Sequence, residues 1–181
     1  MIKFFRASAR RFLSHTSGIA AIEFAVAGPV LILALIGSVS AFDLYRADRA
    51  VSHASNTVVD LVARQSFMDD QRRDTVYATT EAILGRYGDA NSFTVVMASV
   101  VNESGDLSID WTEANTPGIE LEDSDIPNLG LPEIPNGESL IFIEIRNEYP
   151  AVFSQMSTTL NRDVRRRPRF VSKIAYDDGT N

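Results

Sequence analysis

The sequence predicts an α+β protein in two parts. A long N-terminal transmembrane helix continues into an amphipathic helix. A small domain follows, with a mainly antiparallel sheet of about four strands and one or two packed helices. Three observations predict this: an uncharged apolar run from Phe24 to Phe42, a three-and-four spacing of apolar residues directly after it, and later short apolar runs separated by glycine-containing turns. The 181 residues leave room for one modest domain plus an anchor, and 45% apolar content is enough for a packed core.

Charge orients the first part. Residues 1–18 carry Lys3, Arg6, Arg10 and Arg11 and no acid, a charge of +4. The whole chain stands at −7, so the other 13 basic and 24 acidic residues leave −11. A basic tip on an acidic body argues against nucleic acid as a partner, because phosphate binding needs a positive surface. From Ile19 to Phe42 Glu23 is the one charge, and Phe24–Phe42 is 19 residues long, roughly 28 Å as a helix. That matches a hydrocarbon core of ~30 Å, so the lipid bilayer is the expected solvent. Positive charge stays inside, which places residues 1–18 in the cytoplasm as a basic leader and the C-terminal part outside. Arg165, Arg166, Arg167 and Arg169 lie too far from the span to influence this. Two other readings of the run are a buried helix of a soluble fold and a cleaved secretory signal ending at Val39-Ser40-Ala41. The expected divisions are a leader (1–18), a transmembrane helix (19–42), an amphipathic helix (43–66) and an extracytoplasmic α+β domain (67–181).

The helix is expected to continue past the membrane. Leu44, Ala47, Val51, Ala54, Val58 and Leu61 recur in steps of three and four, with polar residues on the other faces. The same register runs back through Ser40, Gly37, Leu33, Val30 and Val26 to Glu23, provided the helix is under-wound or bends. Gly37 and Ser40 allow close helix approach in lipid. This seam is open to two uses, packing on the chain's own domain or on a neighbouring helix. Pro29 removes one helical hydrogen bond and predicts a kink near Gly28-Pro29.

The domain elements follow from local pattern. Asp69-Asp70 suit a helix N-terminus, Val76, Tyr77, Thr80, Ile83, Leu84 and Tyr87 line one face, and Gly88 is expected to end that helix. Phe93–Val101 reads as a buried strand, Asn102–Asp106 as a hairpin loop, and Leu107, Ile109 and Trp111 as the inward positions of its partner. Leu140–Ile145 is a third strand and Phe170–Tyr176 the expected fourth, with a short helix possible over 150–167. Residues 113–138 form a Pro-rich acidic loop, read as a solvated excursion; the alternatives are calcium held by Glu120, Glu122, Asp123 and Asp125, though no EF-hand pattern is present, and partner binding.

Chemistry-bearing patterns are sparse. The chain has no cysteine, and its histidines are His15 and His53. Phosphate-binding glycine loops, a nucleophile elbow and zinc-ligand spacings are all missing from the sequence. No enzymatic activity, metal or cofactor is therefore expected, and His53 reads as a solvated residue. A carboxylate at membrane depth is costly, so Glu23 either snorkels to the interface or meets a cationic partner.

The segment Gly18-Ile19-Ala20-Ala21-Ile22-Glu23-Phe24-Ala25, Pro29 with the leucines and isoleucines after it, and Val59-Asp60-Leu61-Val62-Ala63-Arg64-Gln65 resemble TadE/TadG-like proteins of the Tad (Flp) pilus system, relatives of type IV prepilins. Residues 17–65 carry the resemblance well; the rest, including Arg167–Ile174, carries it loosely. It implies cleavage after Gly18 by a prepilin peptidase, Ile19 as the new N-terminus and Glu23 as the acid at its fifth position. It also implies pilin-like or Tad assembly subunits as partners. The implied role is a non-catalytic, membrane-anchored assembly protein or minor pseudopilin. The alternative is a membrane-tethered or secreted binding domain unrelated to pili.

Overall fold

A computed structural model describes residues 17–87, 92–150 and 157–177. The chain divides into two compact units, Met1–Phe42 and Asp43–Asn181. Helix α1, Ser17–Ala63, supplies all the described structure of the first unit and the opening element of the second. Pro29 lies inside α1 without ending it, although its ring removes the donor that the Ala25 carbonyl would otherwise meet.

In the second unit α1 is followed by β1 (Phe67–Met68), α2 (Asp70–Leu84), a 3₁₀ turn (Gly85–Tyr87), β2 (Phe93–Glu103) and β3 (Asp106–Ala114). A 3₁₀ segment (Asp123–Asn128), β4 (Ser139–Pro150), β5 (Ser157–Arg166) and β6 (Ala175–Tyr176) complete it. Asp69 caps α2, its carboxylate accepting from the Arg72 N–H at 2.7 Å, as the paired acids predict. The helix stops at Leu84 rather than near Gly88, which lies outside the described residues. Gly85 there takes φ +52°, a left-handed conformation that breaks the helical path and favours glycine.

The main sheet has the order β3-β2-β4-β5, every neighbour antiparallel. Ser104 and Gly105 both have positive φ, the two-residue turn that matches strand twist, and Glu103 pairs with Asp106 across it. The fourth strand corrects the sequence expectation. It is β5, Ser157–Arg166, whereas of Phe170–Tyr176 only Ala175–Tyr176 is a strand, paired in parallel with Phe67–Met68 in a separate ladder. A helix within 150–167 is likewise not found among the described residues there. The reason is chemical: β5 turns Leu160 and Val164 toward the core, but Arg162 and Arg166 reach instead to acids on α1.

One face of the sheet packs on the helices. Val51, Ala54, Val58 and Val62 of α1 and Val76 and Leu84 of α2 meet Met97, Ile143 and Ile145 of the strands. The other face is covered by the segment between β3 and β4, whose Ile126, Leu129 and Ile134 pack with Val100, Leu140 and Phe142. That segment is thus not the solvated excursion expected. Its apolar residues bury while its acids stay outside and accept from backbone donors: Asp123 ties the segment to β3 by accepting from the Ile109 N–H at 2.6 Å, and Asp125 accepts from the Glu122 N–H at 2.9 Å within its own turn.

Candidate membrane and assembly helix

In the first unit, α1 has no polar face and no fully buried residue among those described. Eleven large apolar side chains between Ile19 and Phe42 are about half exposed or more, including Phe24 at 74% and Leu33 at 68%. Leaving a Val, Leu, Ile or Phe in water rather than burying it costs ~1.5–3 kcal/mol, so the stretch carries on the order of 20 kcal/mol of unmet burial. This exceeds the ~5–15 kcal/mol that holds a typical domain together, so something apolar must cover it. A single apolar helix of this length fits a single-pass membrane protein. Its serines are made compatible with that setting by bonding backward: Ser38 Oγ donates to the Ala34 carbonyl at 2.7 Å and Ser40 Oγ to the Ile36 carbonyl at 2.9 Å.

The residues singled out in sequence fall on this helix in two environments. Gly18, Ile19 and Glu23 occupy its first two turns, all exposed. Among the described residues Glu23 makes no hydrogen bond or ion pair. Val30 and Leu33 are exposed, Ser40 is half-buried, and a Cβ added at Gly37 would meet nothing within 4 Å. Leu44 is 37% exposed. Three residues on, the environment changes. Ala47, Val51, Ala54 and Val58 are completely buried, and Leu61 packs on the same core. From Ala47 onward the apolar stripe belongs to the chain's own domain.

Ion pairs fasten this part of α1 to the last strand. Arg162 meets Asp48 at 2.6 Å and Ser52 Oγ at 3.1 Å. Asp60 accepts from Arg64 at 2.5 Å, from Arg166 at 3.2 Å and from Arg169, whose backbone N–H also donates to the Ala63 carbonyl at 2.8 Å. Partial burial alone would raise the Asp60 carboxyl. The Arg64 hydrogen bond and the charges of Arg169, Arg64 and Arg166 outweigh it and hold the group below the usual carboxylate range. Asp60 and Arg169 were noted in separate stretches of sequence; the fold makes them one cluster. Arg64 and Arg166 complete the cluster, and nothing in the local pattern announces Arg166 as a member. At the start of the domain, Tyr149 Oη donates to Asp43 at 2.6 Å.

Other polar groups are structural in character. Trp111 Nε1 donates to the Ile174 carbonyl at 2.7 Å, holding the C-terminal segment against β3. Arg73 is shared by Asp70 at 2.9 Å, Asp74 at 3.1 Å and Glu113 at 3.5 Å. Burial, then the nearby Glu113, raises the Tyr77 phenol; burial and the hydrogen bond to Asp70 do the same for Tyr176. A cleft of about 510 Å³ on the second sheet face is lined by Leu129, Phe142, Glu144, Arg146, Asp163 and Arg165 among others. Its two arginines are each paired, Arg146 with Glu144 at 2.8 Å and Arg165 with Asp163 at 2.6 Å, while Glu120 and Asp125, also in the lining, accept from backbone N–H groups. His53 is exposed on α1, and no metal-holding cluster of three or more His, Asp or Glu occurs among the described residues.

Comparison with known proteins agrees with the helix as the informative part. Residues 18–60 match the model of the family described as TadE-like protein. No curated protein and no solved structure matches the chain. The matched residues begin at the glycine that opens α1 and end at the aspartate that anchors β5 to it, so they include both the exposed apolar stretch and the buried stripe. Over residues 18–60 the chain is similar to the family described as TadE-like protein.

Proposed function

We propose that this chain is a non-catalytic, single-pass inner-membrane subunit of a Tad/Flp-type pilus system, acting as an assembly protein or minor pseudopilin. Residues 1–18 stay in the cytoplasm, 19–42 cross the bilayer, and the α+β domain faces the periplasm, where it contacts other assembly subunits. The observation that carries the reading is the coincidence of the TadE-like match with a helix whose apolar side chains are left uncovered. TadE-like pilus-associated proteins are generally non-catalytic, in keeping with this role.

A prepilin peptidase cuts after Gly18 in this reading and leaves Ile19 as the mature N-terminus. The new α-amine has an ordinary pKa near 8 and is mostly charged at neutral pH. Glu23 then pairs with that ammonium, in its own chain or a neighbour's, which lowers the penalty for both charges in an apolar setting. Val30, Leu33, Gly37, Ser40 and Leu44 form the part of the stripe left for a partner helix. Intact-mass measurement of the protein from its native host tests the reading. A start at Ile19 supports pilin-type processing; a start at Phe42 identifies a secreted domain, and an unprocessed N-terminus a permanent anchor. Deletion that leaves surface pili intact refutes the pilus role.

A further inference from the structure

Beyond the apolar run, the outward face of α1 changes chemistry in steps. Tyr45 is 56% exposed, and Arg49, His53 and Asn56 are exposed after it on the side opposite the buried Ala47, Val51, Ala54 and Val58. The Arg49 guanidinium lies over the Tyr45 ring, 5.7 Å from its centroid. Among the described residues Arg49 has no carboxylate partner, unlike the arginines of β5, which are held by Asp48, Asp60 and Asp163. Tyr45 stands three residues and Arg49 seven past Phe42, about 5 and 10 Å of helix. The headgroup layer of one leaflet is roughly 5–8 Å deep, and an arginine side chain can reach back toward it.

We propose that Tyr45 and Arg49 form a binding site for a phospholipid headgroup on the outer leaflet of the membrane that α1 spans. The phenol sits at the ester level, as interfacial tyrosines do, and the guanidinium takes the lipid phosphate. The stacked ring holds the guanidinium ready, and among the described residues no acid competes for it. His53, one further turn out, lies in water. The inference rests on the transmembrane reading of residues 19–42.

The test uses the full chain in nanodiscs of phosphatidylcholine mixed with phosphatidylglycerol, with native mass spectrometry counting anionic lipid retained on the protein. Arg49→Gln is expected to lower retention about fivefold, the loss of one interfacial cation. Tyr45→Ala lowers it too, His53→Ala leaves it unchanged, and added inorganic phosphate does not displace the lipid. Equal retention in the wild type and Arg49→Gln overturns the proposal, as does displacement by free phosphate. Because the chain has no cysteine, a nitroxide at Val30→Cys tests the anchor separately. If that label reports hydrocarbon while Arg49→Gln retains lipid normally, the headgroup site alone is refuted. If it reports water, the anchor reading and the site are refuted together.

Discussion

The division of the apolar stripe on α1 is testable with two valines. Val58 is fully buried in the domain core, and Val30 is 62% exposed on the apolar run. Val58→Ala removes two buried carbons. At about 0.8 kcal/mol each, plus a term for the cavity left behind, the loss comes to about 2–3 kcal/mol. A domain of this size loses roughly 3–4 °C of melting temperature per kcal/mol, so Tm should fall by roughly 6–12 °C. Val30→Ala touches no core residue and should leave domain Tm unchanged, while weakening association between helices. Trp111, the single tryptophan and buried at 7% exposure, gives a fluorescence signal for thermal unfolding of the full chain in detergent. If Val58→Ala melts like the wild type, or if Val30→Ala lowers Tm by as much, the assignment of residues 47–61 to the chain's own core is wrong.

Asp60 should make stability pH-dependent. Its folded pKa is depressed, so its contribution is fully present above the unfolded value of about 3.9 and is lost as pH falls through the lower folded value. Asp60→Asn should therefore lower Tm at pH 7 and flatten the acid limb of a Tm-against-pH curve; an unchanged acid limb contradicts the cluster. Tyr77 and Tyr176 have raised phenol pKa values, so two of the five tyrosines should ionise well above pH 10 in an absorbance titration of the folded protein. Their neutral forms stabilise the fold below pH 10, and that stability is lost as pH rises through the folded values. Trp111→Phe leaves the Ile174 carbonyl without its donor, a loss of about 1–3 kcal/mol in urea unfolding followed by circular dichroism.

The helices and the β2–β3 hairpin were legible because their signals are local. The spacing of Ala47, Val51, Ala54 and Val58 repeats every three or four residues, and the turn at Ser104-Gly105 needs only two residues of the right kind. β5 was not legible. Its helix-facing Arg162 and Arg166 look like solvated charges until Asp48 and Asp60, more than a hundred residues earlier, are placed beneath them. Phe170–Tyr176 drew the strand assignment by composition, yet Phe170 is 75% exposed, and Ile174 is buried through the Trp111 contact rather than in a ladder. The acidic segment misled in the same way, since the charges at 120–125 masked the buried Ile126, Leu129 and Ile134. The exposed half of α1 was readable from composition alone, because no fold is needed to recognise 19 residues without a charge.

The pairing of Arg162, Arg166 and Arg169 with acids on α1 also constrains how the polypeptide is made. Each bond joins residues 106 to 114 positions apart, linking acids of α1 to residues synthesised more than a hundred positions after them. During translation Asp48 and Asp60 remain hydrated and one flank of the helix stays open until those arginines emerge. A stop codon before Arg162 would leave a chain with none of these bonds.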